Sequence, residues 1–318
     1  MDLQGKKTDC CESRITIKKK SNLPNIEFDY VNSCNGLLCL CEPGTEDPIY
    51  VCNPILGEYI TLPKVKKDVT IVGAGFGFSL ETKEYKVVRL FQMMGTDPIK
   101  REIYDHYEAE IYALGPGSWR SLGKVPYTIN VLMSFNTFVN GALHWHVYEH
   151  DTPDFIRAFD FGSEQFRAVP EPPSFFDQWE KEFIDSQAFI DSVHLGVLLG
   201  CLSICDFTES DRVEIWVMNE YGIKESWTRN FVIENLPFER WHGADNYDPI
   251  MILDSGEILM LFNWSSLITY DPKEEVFKYL STYGVESWFE AFAHIPSFIS
   301  LRDVAKGENL TVLILNQN

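Results

Sequence analysis

The chain has 318 residues, 45% of them apolar and 14% aromatic, and a net charge of −20. This composition excludes a disordered chain, and the acidic balance excludes a general nucleic-acid binder, which needs a basic face. No run approaches about 18 consecutive apolar residues, which excludes a membrane-spanning helix, and eight cysteines are too few for a disulfide scaffold.

Residues 1–25 read as a basic tail or linker. The first 24 residues hold Lys6, Lys7, Arg14, Lys18, Lys19 and Lys20 against Asp2, Asp9 and Glu12, six minus three, a net of +3. No apolar signal core is present, so the expected setting is the cytoplasm or nucleus. The Lys18–Lys20 run suits a nuclear signal or a membrane-surface patch, and the plainer reading is a solvated tail, as charge runs usually are. Cys10-Cys11 suits acylation, with nothing else in the tail to support an anchor.

Next comes SCNGLLCLCEPGTEDPIYVCNP, residues 33–54, with Cys34, Cys39, Cys41 and Cys52. Zinc knuckles use two to four intervening residues, whereas the gaps here are four, one and ten. Cys39 and Cys41 are i and i+2 on a strand, roughly 6–7 Å apart on one face, with Leu38 and Leu40 on the other. Core cysteine is the expectation, and no metal or cofactor site. Asn35-Gly36 inside this stretch is a type I′ hairpin signal, repeated at Asn140-Gly141, at Asp254-Ser255-Gly256 and, more loosely, near Gly196.

A second pattern recurs after each signal: a short strand, a polar turn and another strand. Its copies are IYVCNPILGEYITLP (49–63), IYALGPGSWRSLGKVP (111–126), IRAFDFGSEQFRAVP (156–170), IWVMNEYGIKESWTRNF (215–231) and ITYDPKEEVFKYL (268–280). Their starts are 62, 45, 59 and 53 residues apart. Antiparallel units repeating at roughly this period predict an all-β β-propeller, since one unit cannot bury both of its faces alone. Five copies are visible. The two ends, from Val31 and from Trp288 to Leu301, are expected to pair as a sixth blade and remove the exposed edges. The spacing favours six blades and also admits seven. Helical periodicity is nearly absent, with one short helix expected over 173–186.

The remaining chemical signals are weak. Gly73-Ala-Gly75-Phe-Gly77-Phe78 lacks the third glycine of a dinucleotide loop and no helix follows; glycine alternating with aromatics suits tight blade packing. His144-Trp145-His146 puts two imidazoles on one strand face, without an evident third metal ligand. Asn263-Trp-Ser and Asn309-Leu-Thr match the glycosylation pattern by chance in a chain without a secretory signal. With 47 acidic residues, no carboxylate pair is informative, and neither Gly-x-Ser-x-Gly nor His-Glu-x-x-His occurs. The long segments PSFFDQWEKEFID and LPFERWHGADNYDP are the candidate partner-binding loops. They carry Phe175, Phe176, Trp179, Phe238, Trp241 and His242, because large rings on rim loops supply most interface energy. The alternative is that these rings tuck under the loops as satellite core.

Taken in order, VNSCNGLLCLC (31–41), YVCNPILGEYITLP (50–63), GFGFSLETKEYKVVRL (75–90), VNGALHWHV (139–147), IRAFDFGSEQFRAVPEPP (156–173), VEIWVMNEYGIKESWTR (213–229) and LITYDPKEEVFK (267–278) resemble the F-box-associated interaction domain of plant F-box proteins. The resemblance implies a non-catalytic, kelch-like propeller over 26–318 that captures a target protein for an SCF-type cullin ubiquitin ligase. An F-box, which docks the Skp-type adaptor, opens on Leu-Pro, runs on through helical stretches of Leu and Ile and ends on a Cys-Lys-Ser-Trp-like stretch; residues 1–25 show no such runs or end, and their Leu23-Pro24 leads into a strand-like segment. The expectation is a monomeric fragment or natural F-box-less form that binds neither nucleic acid nor membrane. It engages the adaptor only if an F-box is supplied or replaced. Two other readings stand beside it: a propeller enzyme acting on a sugar or small ester, and a decoy that competes for targets.

Overall fold

The computed structural model describes residues 28–65, 69–96, 103–115, 117–126, 137–147, 155–176, 189, 192–209, 212–234, 236, 246–280, 289–305 and 313–314. These form five antiparallel sheets, arranged as the blades of a β-propeller. Blade 1 holds β1 (Asp29–Cys34), β2 (Leu37–Cys41), β3 (Ile49–Asn53) and β4 (Glu58–Thr61). Blade 2 holds β5 (Thr70–Ser79), β6 (Glu84–Thr96), β7 (Ile103–Ala113) and β8 (Trp119–Lys124). Blade 3 holds β9 (Thr137–Val139), β10 (Ala142–His146), β11 (Ile156–Asp160) and β12 (Gln165–Val169). Blade 4 holds β13 (Val193–Leu198), β14 (Cys201–Asp206), β15 (Arg212–Met218) and β16 (Trp227–Glu234). Blade 5 holds β17 (Tyr247–Ile252), β18 (Ile258–Phe262), β19 (Ser266–Asp271) and β20 (Val276–Leu280). After a four-residue helix α1 (Leu301–Val304), a last strand β21 (Leu313–Ile314) joins the outer edge of β4.

The five sequence repeats are the third and fourth strands of the five blades. The expected sixth blade is a correction, because both ends of the chain are used differently. Val31 lies in β1 of blade 1, residues 289–300 form no strand, and β21 widens blade 1. Of the short helix expected over 173–186, residues 173–176 form a turn and the rest lies outside the described residues. The looser signal near Gly196 resolves as a turn at Leu199-Gly200, with Gly196 inside β13.

Local sequence explains the regularity. Asn35 and Gly36, and likewise Asn140 and Gly141, both take positive φ, as the type I′ hairpin requires. The third-to-fourth strand turns share another device. Asn53, Asp160 and Asp271 each accept two backbone N–H bonds from the residues two and three ahead. Gly57, Glu164 and Glu275, four residues on, each close the turn at positive φ. Two tryptophans opening fourth strands tie one blade to the last. Trp119 Nε1 donates to the Pro63 carbonyl and Trp227 Nε1 to that of Pro170, each at 2.8 Å.

Strand alternation places the cysteines. Cys34, Cys39 and Cys41 face blade 2, in the cluster of Val51, Phe76 and Val87, while Leu38, Leu40 and Cys52 face the other way. Burial pushes the thiols of Cys34, Cys41 and Cys52 up to about 12. They stay protonated at neutral pH and act as small apolar groups rather than nucleophiles. The glycines of β5 serve close packing. A Cβ on Gly75 would stand 2.0 Å from Leu143 Cδ1, and one on Gly77 would stand 2.3 Å from the Phe161 ring.

Candidate protein-interaction face

Antiparallel order divides the propeller into two faces. First-to-second and third-to-fourth turns leave one end of every blade. Second-to-third loops and the connections between blades leave the other. The first strands, β1, β5, β9, β13 and β17, run innermost, and side chains stitch them together. Asn32 pairs with both backbone groups of Phe76, donating from Nδ2 at 2.6 Å and accepting at Oδ1 at 2.8 Å. Thr137 donates to the Leu195 carbonyl, and Cys205 on β14 donates to that of Tyr247.

Both candidate loops connect one blade to the next, so both belong to the connection face. Phe175 and Phe176 are not free there. Phe175 is 3% exposed, in the core shared by blades 3 and 4, and meets Phe176 edge-on at 5.2 Å. Phe176 packs partly buried on Phe155 at 5.3 Å. These two rings are satellite core, because the chain leaving β12 folds back over the seam. Trp179, Phe238, Trp241 and His242 lie outside the described residues, while Tyr247 opens β17 fully buried.

An acidic group that no sequence pattern marks stands at the axial mouth on this face. Asp29 opens β1, Asp248 is the second residue of β17, and Glu290 lies on the segment joining blade 5 to blade 1. Burial, then Asp29 and Asp248, pushes the Glu290 carboxyl up; burial, then Asp29, does the same to Glu46. His194, near the start of β13, contacts Asp248 through Nδ1. Five separate places in the chain supply these groups, so no local pattern announces them. The turn face is different in kind: Ile55, Leu80, Leu199 and Ile223 stand exposed on its turns.

The two histidines of β10 are structural. His144 donates from Nδ1 to the Thr137 carbonyl and accepts at Nε2 from the Tyr221 hydroxyl, which in turn accepts from Arg167. Burial lowers the His144 pKa to about 4, so the ring is neutral at physiological pH. His146 stacks on Phe155. Among the described residues no three His, Cys, Asp or Glu side chains are placed to hold a metal ion. A small recess between blades 2 and 3 is lined by Ala74, Leu90, Leu143, Trp145 and Phe159, all apolar. Among the described residues no helix is long and apolar enough to cross a membrane.

Five antiparallel blades with side-chain-stitched inner strands define a β-propeller, the class of scaffold that presents loops at its two faces. The family model of the F-box associated beta propeller domain matches residues 2–301, and the chain belongs to this family. Similar relatives are F-box proteins of Arabidopsis thaliana. One is 32% identical, with 92% of this chain and 75% of the relative covered. An F-box/kelch-repeat protein is 24% identical, over 87% of this chain and 70% of the relative. The F-box protein CPR1 is 26% identical, over 84% and 67%.

Proposed function

We propose that this chain is the target-recognition domain of an SCF-type cullin ubiquitin ligase receptor. It captures a protein in the cytoplasm or nucleus for ubiquitination by other subunits and supplies no catalytic group itself. The observation that carries this reading is the family match over 2–301, together with relatives that are F-box proteins. Capture takes place on the connection face, through Trp179, Phe238, Trp241 and His242. Aromatic anchors there give affinity, and the acidic mouth formed by Asp29, Asp248 and Glu290 selects a basic target surface. The domain works as a monomer, and the Skp-type adaptor joins only through an F-box, supplied or replaced.

The test is quantitative co-purification with the intact chain, followed by reconstituted ubiquitination of whatever is retained. Trp241→Ala and Trp179→Ala should each cut target retention at least about tenfold while the domain keeps its melting temperature. Full retention by both folded variants removes the connection loops as the site. Retention of a protein that is never ubiquitinated when an F-box is supplied to the chain together with adaptor and cullin removes the ligase reading itself.

A further inference from the structure

Two Asn-Gly pairs close type I′ hairpins, and their surroundings differ. Asn35-Gly36 joins β1 to β2, with φ of 51° and 80°; Asn140-Gly141 joins β9 to β10, with φ of 51° and 74°. Both asparagines are exposed. The first pair is held on three sides. Asn35 Nδ2 donates to the Tyr85 hydroxyl at 3.2 Å, and His294 Nε2 lies 3.2 Å from the Gly36 carbonyl oxygen. Gly36 itself is buried, and a Cβ on it would stand 2.3 Å from Ser297 Cβ. The second pair is open. Among the described residues Asn140 makes no side-chain hydrogen bond, and Gly141 is half-buried. The nearest atom to a Cβ on Gly141 would be the Phe78 carbonyl oxygen, 3.9 Å away. The ladder of this hairpin closes at Val139 and Ala142, which leaves the Gly141 N–H outside it.

Glycine after asparagine has no Cβ to obstruct attack of its backbone nitrogen on the side-chain amide. In that reaction the Gly141 nitrogen gives up its proton to solvent and bonds to Asn140 Cγ. The bond from Cγ to the side-chain nitrogen breaks, ammonia leaves, and a five-membered succinimide ring remains. Water then adds to one of the two ring carbonyls. Opening on one side gives aspartate; opening on the other gives isoaspartate, with the backbone rerouted through the side chain. In sum ammonia is exchanged for water, and no oxidant, reductant or enzyme takes part. Ring closure turns the Asn-Gly peptide out of its hairpin orientation, so the tip needs free space. Asn140-Gly141 has that space. Asn35-Gly36 does not, because it is tied to Tyr85 and lies under the segment that joins blade 5 to blade 1.

We propose that Asn140 is a site of spontaneous deamidation, selected over Asn35 by packing, and that its product loosens the blade 3 hairpin. β9 is three residues long and pairs with β10 through three residues, so a backbone one atom longer at the tip disturbs the closing pair of a short ladder. The new carboxylate also lands beside acid. The Gly141 carbonyl accepts from the Phe161 N–H, and a Cβ on Gly162, the next residue, would stand 3.2 Å from Asp160 Oδ1 and 3.6 Å from Glu81 Oε2. Like charges on neighbouring strands repel. The disturbance reaches the seam with blade 4, because Thr137 of β9 donates to the Leu195 carbonyl and its own carbonyl accepts from His144.

Ageing of the intact chain in warm, mildly alkaline buffer tests this, read by mass spectrometry of its peptides for a gain of about one dalton. In the folded chain the peptide holding Asn140 should gain that mass at least about tenfold faster than the peptide holding Asn35, whereas in urea the two rates should agree within about threefold. An Asn140 that keeps its amide in the folded chain, or two folded-state rates as close as those in urea, overturns the selection. The deamidated fraction, separated by its added charge, should exchange amide hydrogens faster in β9 and β10 than the fresh chain, with β17 to β20 unchanged. Equal exchange in β9 and β10 overturns the loosening. Asn140→Gln, whose ring would need six members, should show neither the mass gain at this position nor the faster exchange after the same treatment. Faster exchange in that variant assigns the loosening to another site and overturns the proposal.

Discussion

At the junction of blades 2 and 3, glycine lets one sheet sink into the next: Gly75 lies under Leu143, and Gly77 under Phe161 and Phe138. At the junction of blades 5 and 1, an irregular bridge spans two apolar sheets, and Ile295 and Phe298 on it are 83% and 84% exposed. The first junction is held by shape and tolerates no added atom. Among the described residues the second is anchored by hydrogen bonds from a few polar side chains and by Tyr30 stacked on Phe292, so it is the place where the ring is expected to open most easily. Core packing transmits strain, whereas an anchored strap yields locally.

The largest expected effect lies at the tight junction. In Gly77→Ala the new Cβ falls within 2.6 Å of three ring atoms of Phe161 and Phe138, and Phe161 is fully buried. Destabilisation of about 3 kcal/mol is expected, read as a lower urea midpoint at unchanged slope. An effect below about 1 kcal/mol breaks the comparison, since it would mean that the blades slide apart as readily here as at the bridged junction.

The pin between blades 3 and 4 responds to acid. Folding lowers the His144 pKa from 6.5 to about 4, so the native state resists taking the proton that the unfolded chain accepts. Its contribution to stability is complete above about 6.5 and falls as the pH drops towards 4, with a loss of about 2 kcal/mol by pH 5. His144→Gln should melt lower at pH 7.5 and show a shallower decline between pH 6.5 and 4. An unchanged decline assigns the acid step to other groups.

At the bridged junction Asn53 is the anchor. It is fully buried, its Nδ2 donates to the Ser297 and Ile299 carbonyls, and its Oδ1 closes the turn through the N–H groups of Ile55 and Leu56. Asn53→Ala is expected to cost about 1–2 kcal/mol, less than the glycine change, because the freed carbonyls reach water. Exchange should rise in residues 289–300 before it rises in blades 2 to 4.

How much of this was legible in the sequence follows the range of each interaction. The blades were legible because their signals are local: Asn35-Gly36 and Asn140-Gly141 dictate hairpins, and the five repeats are five strand pairs. Even the Trp119-to-Pro63 and Trp227-to-Pro170 bonds had a trace, since three repeats end in proline and tryptophan recurs at the start of a fourth strand. The blade count was not legible, because whether two chain ends pair depends on where blades 1 and 5 bring them. Phe175 and Phe176 misled for a related reason. A ring on a connecting segment has the same composition whether it faces a partner or folds back on Phe155. The acidic mouth was invisible, as Asp29, Asp248 and Glu290 meet only once the ring has formed.

The smallest expected effect is also the most discriminating at the bridge. Ile295 and Phe298 stand almost wholly in water although the bridge around them is anchored, with His294 near the Gly36 carbonyl and Glu58 accepting from the Leu301 N–H. A side chain that buries nothing contributes nothing to burial energy, so Ile295→Ser and Phe298→Ser should change stability by no more than about 0.5 kcal/mol. Asn53→Ala, a few ångströms away, should exceed both. That ordering, polar anchor above exposed aromatic, is the reverse of the tight junction, where the apolar contact dominates. A loss of about 2 kcal/mol or more on Phe298→Ser would show that this ring is buried in solution, and the two junctions would then be held by the same force.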